Sequence, residues 1–241
     1  MLISAPARAY KRGMSQTTSS LAGVVPTGTT GQITTSFWWK KLHSLSGIIP
    51  VGVFLLEHIW TNSYAVHGEQ AFNKAVENLR SLPYVVFIEI GLIGIPILFH
   101  AIYGLIVTLQ SRPNNLRYGH LRNWMYLVQR ISGIFLIAYI VWHVWRTRVG
   151  FVVKGVPMDF NYMVNEFTNP GIAGLYAVGM LSAVFHFANG LWSFLIGWGI
   201  ITSEHAMKRA AYLCAALGVL LAAAGINGLL GFFGMGFMLN I

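Results

Sequence analysis

Apolar residues form five long runs along the chain, and shorter polar segments separate them. Each run has the roughly 20 residues that an α-helix needs to cross the hydrocarbon core of a bilayer. The pattern therefore predicts an all-α, polytopic membrane protein with five transmembrane helices. The predicted helices cover residues 38–62, 84–109, 125–147, 171–200 and 210–237. Pro50 and Pro96 lie inside the first two, where a proline is expected to kink the helix.

The composition agrees with a membrane protein and argues against a soluble one. Of the 241 residues, 55% are hydrophobic and 10% are charged, whereas an average soluble domain is about 25% charged. The net charge of +9 is assigned to loops rather than to a nucleic-acid-binding patch. A single cysteine, Cys214, excludes an intrachain disulfide, a cysteine-ligated iron–sulfur cluster and a covalently attached c-type haem.

Residues 1–36 differ from the rest because they are rich in Ser, Thr and Gly. They contain no continuous apolar run of the kind found in a secretory signal peptide. We expect a cytoplasmic N-terminal tail here, followed by one transmembrane domain over residues 37–241. The segment around 148–170 is long enough for a short surface helix.

The basic residues predict the orientation, since Lys and Arg concentrate in cytoplasmic loops. Eleven lie on the side that contains the N-terminus: Arg8, Lys11, Arg12, Lys40, Lys41, Arg112, Arg117, Arg122, Arg130, Lys208 and Arg209. Five lie on the other side: Lys74, Arg80, Arg146, Arg148 and Lys154. The N-terminus is therefore expected in the cytoplasm, the C-terminus outside, and the protein in the cytoplasmic membrane.

Each of the first four predicted helices carries one histidine within apolar sequence: His58, His100, His143 and His186. Ionisable residues are costly inside a membrane and are therefore candidates for function. A rise of about 1.5 Å per residue places His58 and His143 in the outer half of the bilayer, with the other two toward the inner half. Facing helices can hold a b-type haem through two axial histidines. The pattern thus predicts two haems b whose iron ligands are these two pairs.

Small residues lie on the same helix faces as the four histidines. Gly104 and Gly190 follow the inner histidines by four residues, and Gly47 and Ser132 precede the outer ones by eleven. Such residues are expected to let a haem approach closely. The alternative is that each histidine is a hydrogen-bonded packing residue or part of a proton path. Zinc is disfavoured, because the pairs differ in depth and no acidic or cysteine partner completes a tetrahedral site.

Several stretches together are more specific than the histidine spacing. They are KLHSLSGIIPVGVFLLEH (41–58), AFNKAVENLRSLPYVVFIEI (71–90), FHAIYG (99–104), RNWMYLVQRISGI (122–134), WHVWRTR (142–148) and FHFANGLWSF (185–194). Over roughly residues 37–200 the chain resembles the di-haem cytochrome b membrane anchors of succinate:menaquinone oxidoreductases and fumarate reductases. It is most similar to the Gram-positive succinate dehydrogenase form.

The resemblance implies the anchor and electron-transfer subunit of respiratory complex II. Such an anchor binds an FAD-containing flavoprotein, where succinate is oxidised, and an iron–sulfur subunit on the cytoplasmic side. Electrons then pass through a proximal haem, held by His100 and His186, and a distal haem, held by His58 and His143, to menaquinone. A fumarate reductase anchor and a haem-free, proton-coupled membrane subunit remain alternatives. Nothing is assigned to residues 1–36 or to the oligomeric state of the complex.

Further residues near the helix ends are candidates for binding haem propionates. The resemblance suggests His43 and Ser44 at the inner end of the first helix, where Trp124 and Arg130 of the third could share the task. Arg130 could instead be an ordinary cytoplasmic basic residue and His43 an interfacial one.

Four charged residues belong to the outer half of the membrane. Arg146 and Arg148 could neutralise propionates of the outer haem, or extend to lipid headgroups. Glu57 and Glu89 are the acidic residues inside the predicted helices. Quinone reduction takes up two protons, so either carboxyl group is a candidate proton relay near the outer haem. Hydrogen bonding to Arg or Trp at the helix ends is the alternative role.

Overall fold

The computed structural model describes residues 30–111, 115 and 117–237, with side chains from Phe37 onward. Every element in these ranges is helical, and none is a strand. The predicted tail therefore lies largely outside the described residues, although the first helix already begins at Thr30.

The described helices, in chain order, are α1 (Thr30–Ile48), α2 (Pro50–Ser63), α3 (Glu69–Arg80), α4 (Val85–Phe87), α5 (Ile95–Leu109), α6 (Leu121–Val144), α7 (Gly150–Lys154), α8 (Phe160–Phe167), α9 (Pro170–Gly197) and α10 (Glu204–Gly231). Eight of them, together with the 3₁₀- and π-helical segments beside them, form five spans that are long and apolar enough to cross a membrane, whereas α3 and α8 lie outside the spans. Spans I to V are Phe37–His67, Val85–Leu109, Leu121–Lys154, Pro170–Gly197 and Glu204–Gly231. The predicted five-helix architecture is confirmed.

Both prolines coincide with a change in helical geometry. Pro50 begins α2 directly after Ile49, where α1 has ended. Pro96 lies in the first turn of α5, after a π-helical segment over Ile88–Gly94. Proline cannot donate a backbone hydrogen bond. Each proline therefore lies where the regular helical hydrogen-bond pattern is already interrupted.

Span V is shifted from its predicted limits of 210–237. It begins at Glu204 because the Ser203 side chain accepts a hydrogen bond from the Ala206 N–H at 3.2 Å and so caps the helix. It ends at Gly231, before a turn that contains Gly234 at φ 70°. Hydropathy does not indicate this helix end, because the Gly-rich sequence after Gly231 is also apolar.

Close helix contacts depend on the glycines of span V. A Cβ on Gly231 would lie 2.5 Å from the Val66 backbone nitrogen, and one on Gly228 would lie 3.1 Å from the Asn62 carbonyl oxygen. The backbones of spans I and V therefore approach each other directly, as small residues permit in membrane bundles. Large apolar side chains elsewhere on the spans are exposed, which suits a surface that faces lipid.

Two short helices cover the end of the bundle predicted to be outside. The apolar side chains of α3 and α8 pack with the end of span V around Phe72, Phe167 and Phe232, and we call this assembly the outer platform. Asp159 caps α8 by accepting a hydrogen bond from the Tyr162 N–H at 2.8 Å. The short helix predicted between the third and fourth spans is therefore present, whereas α3 was not predicted.

Candidate functional site

The structure brings the four partly buried histidines of spans I to IV together as two pairs. The rings of His58 and His143 have centroids 5.9 Å apart and planes at 78°. The rings of His100 and His186 have centroids 6.2 Å apart and planes at 82°. These are the pairs that the depth argument predicted from the sequence.

This spacing fits two imidazoles that share one metal ion. Metal–nitrogen bonds of about 2.0 Å on opposite sides of an ion place the ring centres about 6 Å apart. Within the described residues, no group of three or more His, Cys, Asp and Glu could hold a metal ion. A two-histidine site suits haem, because the porphyrin supplies the other ligands of the iron.

The inner pair is held in the tautomer that ligation requires. His100 Nδ1 lies 2.9 Å from the His43 carbonyl oxygen, which can only accept, so Nδ1 carries the proton. His186 Nδ1 lies 3.0 Å from Ser132 Oγ, whose own proton goes to the Gln129 carbonyl oxygen at 3.0 Å. Both rings therefore keep Nε2 unprotonated and able to bind iron. A hydrogen bond at Nδ1 is also the usual support of a metal-ligating histidine.

A polar network between spans III and IV fixes the backbone beside His186. Gln129 donates to the His186 carbonyl oxygen at 2.9 Å. Asn189 donates in turn to Gln129 Oε1 at 2.7 Å and to the Met125 carbonyl oxygen at 3.3 Å. Neither Gln129 nor Asn189 was predicted from the sequence. The indication in the sequence was that both are amide side chains within apolar helices and that Asn189 follows His186 by three residues.

Aromatic rings surround the outer pair instead. The Tyr139 ring stacks on His143 with centroids 5.8 Å apart, and the Tyr176 ring meets His143 edge-on at 5.4 Å. Both His143 Nδ1 and the Tyr176 hydroxyl are buried and have no hydrogen-bond partner among the described residues. The His143 ring is thus positioned by packing, whereas the inner rings are positioned by hydrogen bonds.

A fifth histidine joins the inner pair. The His43 ring stacks on His100 with centroids 4.0 Å apart and planes at 20°. A Cβ on Gly104 would lie 3.0 Å from the His43 ring, so this glycine makes room for it. His43 Nδ1 is buried without a partner within the described ranges. The neighbouring Ser44 hydroxyl accepts a hydrogen bond from Trp198 Nε1 at 2.9 Å.

The small residues fall into two groups. Gly47 faces the His100 ring so closely that a Cβ there would overlap it, and Ser132 contacts His186. Gly190 faces the Gln129 side chain rather than a histidine, with a Cβ position 3.3 Å from its Nε2. Gly133, which was not predicted from the sequence, faces the His186 ring, with a Cβ position 3.0 Å from it. No residue pattern distinguished Gly133 from the other glycines.

The outer arginines have acidic partners. Arg146 binds both carboxylate oxygens of Glu166, at 2.6 and 2.5 Å. Arg148 binds Glu89 at 2.5 Å. Burial, and then the charge of Arg148, lower the pKa of the nearby Arg80 guanidinium. Three arginines therefore lie near one another at this end of the bundle, and carboxylates neutralise two of them.

Glu57 has a different environment from Glu89. Its carboxylate accepts a hydrogen bond from the Thr61 hydroxyl at 2.5 Å, one helical turn further along α2. At the inner end of span III, Arg130 contacts the Tyr126 hydroxyl and lies over its ring at 3.6 Å. Arg130 Nη1 has no partner within the described residues, and Trp124 is exposed.

The fold is that of a helical membrane protein with five apolar spans, and four of its histidines lie in two pairs between these spans. A family model described as succinate dehydrogenase/fumarate reductase transmembrane subunit matches residues 108–225. The succinate dehydrogenase cytochrome b558 subunit of Bacillus subtilis (strain 168) is 38% identical over 196 residues, which are 81% of this chain and 96% of that protein. The chain belongs to this family of succinate dehydrogenase and fumarate reductase transmembrane subunits.

Proposed function

We propose that this chain carries two haems b and passes electrons through the membrane to menaquinone. The proposal rests on the two histidine pairs. In each pair the two rings have the spacing expected for imidazoles that bind one iron ion. The relative named a cytochrome b558 subunit supports haem as the group they hold. Because that relative belongs to a succinate dehydrogenase, succinate oxidation is favoured over the alternative of fumarate reduction.

In this proposal His100 and His186 hold the inner haem, and His58 and His143 hold the outer one. A bound haem b supplies reversible one-electron chemistry at its iron. The protein residues would supply the nitrogens that bind the iron, a low dielectric and a fixed separation between the two sites. Gly47 supports close haem approach on the inner side.

The propionate and close-approach residues remain proposals of the same kind. His43, Ser44, Trp124 and Arg130 are the inner propionate candidates, and the unpartnered atoms of His43 and Arg130 support their inclusion. Arg146 and Arg148 are the outer candidates, although a propionate there would compete with Glu166 and Glu89. Gly104, Ser132 and Gly190 remain candidates for close approach.

The partners follow from the family. A flavoprotein with FAD and an iron–sulfur subunit are proposed to dock on the cytoplasmic side and to deliver electrons from succinate. The inner histidine pair would receive them first. The N-terminus, including the tail over residues 1–36, is assigned to the cytoplasm and the C-terminus to the outside of the cytoplasmic membrane. Glu57 and Glu89 are the proton-relay candidates beside the outer pair.

Haem analysis of single variants in the purified complex tests the proposal. We expect two haems b per chain in the unaltered protein. His100→Leu or His186→Leu should remove one haem, and His58→Leu or His143→Leu should remove the other, which redox titration distinguishes. His67→Leu is the matched control, because this exposed histidine lies at the end of span I and should leave both haems. A complex without haem, or losses that do not follow the pairs, would contradict the proposal.

A further inference from the structure

A groove lies on the surface of the bundle where a turn joins the end of span IV to the start of span V. Its volume is about 640 Å³, which falls in the range of about 300–1,000 Å³ that is common for small-molecule sites. None of the histidines proposed to bind haem lines it. We call it the span IV–V groove, and its chemistry is separate from that of the histidine pairs.

The turn after span IV forms one wall of the groove. Gly199, at φ 71°, lets the chain turn away from the helix in a conformation that other residues rarely adopt. The Ile201 N–H then donates to the Leu195 carbonyl oxygen at 3.2 Å, which holds the turn against the last part of span IV. The side chains of Ile201 and Leu195 both line the groove, so this wall is apolar.

The opposite wall is one face of α10. His205, Arg209 and Leu213 line the groove and follow one another at intervals of four residues, which places them on the same side of the helix. Leu213 lies about 12 Å further along α10 than His205, and its side chain is 72% exposed. The groove is therefore polar and basic near the end of the bundle and apolar further into the span.

Arg209 is the charged residue of the groove that is available to a ligand. It has no carboxylate partner within the described ranges, whereas the adjacent Lys208 is paired with Glu204 at 2.9 Å. No carboxylate of the described residues lines the groove. The Ser203 hydroxyl accepts a hydrogen bond from the Ala206 N–H, so its own proton can be donated to a ligand. The groove thus favours an anionic group at its polar end.

We propose that the span IV–V groove binds an anionic phospholipid, with its phosphate at Arg209 and an acyl chain along Leu195 and Leu213. A phospholipid has the same order of charge and apolar surface as the groove. Basic pockets between transmembrane helices on the cytoplasmic side bind anionic headgroups, and a guanidinium group can donate two hydrogen bonds to one phosphate. A zwitterionic lipid would bring its own cation to the site, and free phosphate would leave the apolar wall without a contact.

Two variants test the proposal in the purified complex. Arg209→Gln removes the charge of the groove, and Lys208→Gln is its control because Lys208 is exposed, adjacent and outside the lining. Ala206→Phe fills the groove and keeps every charge, with Ala215→Phe as its control at an exposed position of the same helix. The complex is depleted of lipid in detergent and titrated with phosphatidylglycerol, and native mass spectrometry counts the lipids bound.

The unaltered complex should bind phosphatidylglycerol in preference to phosphatidylcholine. Arg209→Gln should weaken this binding about tenfold more than Lys208→Gln does, because it removes hydrogen bonds as well as charge. Ala206→Phe should weaken the binding, whereas Ala215→Phe should not. A phosphatidylglycerol with a photoreactive acyl chain should form cross-links at Leu195 or Leu213.

Three results would overturn the proposal and leave the proposed function standing. Equal weakening by Arg209→Gln and Lys208→Gln would mean that the lipid responds only to general surface charge. Equal affinity for phosphatidylcholine would exclude an anionic ligand, and displacement of phosphatidylglycerol by millimolar inorganic phosphate would assign the groove to free phosphate. If Ala206→Phe prevents assembly of the complex, the comparison of Arg209→Gln with its control decides.

Discussion

His186 makes one hydrogen bond through its ring and another through its backbone, and both go to span III. Because Ser132 accepts a hydrogen bond from Nδ1, the imidazole becomes more basic, and in the proposed haem site it would favour the oxidised iron. We expect Ser132→Ala to raise the midpoint potential of one haem by about 40 mV, if the lost bond differs by about 1 kcal/mol between redox states. The other haem should keep its potential.

Redox titration of the visible haem absorbance measures this shift. Ser193→Ala is the matched control, because Ser193 lies exposed on the same span as His186. Two unchanged potentials in Ser132→Ala would show that the hydroxyl does not act on a haem ligand.

At the residue scale, the sequence predicted the histidine pairs but not their surroundings. One histidine per apolar helix is visible in the pattern, and the rise per residue fixes depth within a turn. Hydrogen-bond partners such as Gln129 depend on the rotation of one helix against another, which hydropathy does not contain. For the same reason Gly190, predicted to face a haem, lies against Gln129.

The outer platform depends on an ion pair between span III and α8. Arg146 binds Glu166 through two oxygens, and the Glu166 side chain is only 11% exposed. Glu166→Gln should lower the stability of the complex by about 1–3 kcal/mol, since it leaves Arg146 partly buried and unpaired. The expected loss of stability is smaller than for a fully buried ion pair, because the Arg146 side chain is 36% exposed.

Thermal loss of the native haem spectrum in detergent measures this effect. Glu204→Gln breaks the exposed pair with Lys208 and should leave the midpoint temperature unchanged. Equal midpoints for the Glu166 and Glu204 variants would mean that the platform does not depend on this ion pair.

At the element scale, length and hydropathy predict the spans better than the helices between them. The amphipathic α3 lies in a segment whose charges, Glu69, Lys74, Glu77 and Arg80, resemble those of an ordinary loop. The helix is stabilised by tertiary packing, because Phe72 lies in one buried cluster with Phe167 and Phe232. Span III likewise continues to Lys154 through a π-helical turn, although its Arg146 and Arg148 read as a helix end.

At the scale of the whole molecule, the five spans alternate in direction across the membrane. This alternation places each histidine pair in one half of the bundle. Lys41 at the start of span I donates to the Gly197 carbonyl oxygen at the end of span IV. Arg80 and Met158, from the two segments of the outer platform, meet at the opposite end. The pairing of histidines thus follows from topology, while the sidedness of the membrane follows only from charge.

Site-specific labelling determines that sidedness. In a Cys214→Ala background, which removes the only native cysteine, we introduce Gln70→Cys in α3 or His205→Cys in the first turn of α10, both at exposed positions. A membrane-impermeant maleimide should label Gln70→Cys in intact cells and His205→Cys only after the cells are opened. The reason is the excess of eleven basic residues over five on the side that contains His205. The reverse pattern would place the His58–His143 pair and Glu57 toward the cytoplasm, and it would contradict the proposed orientation.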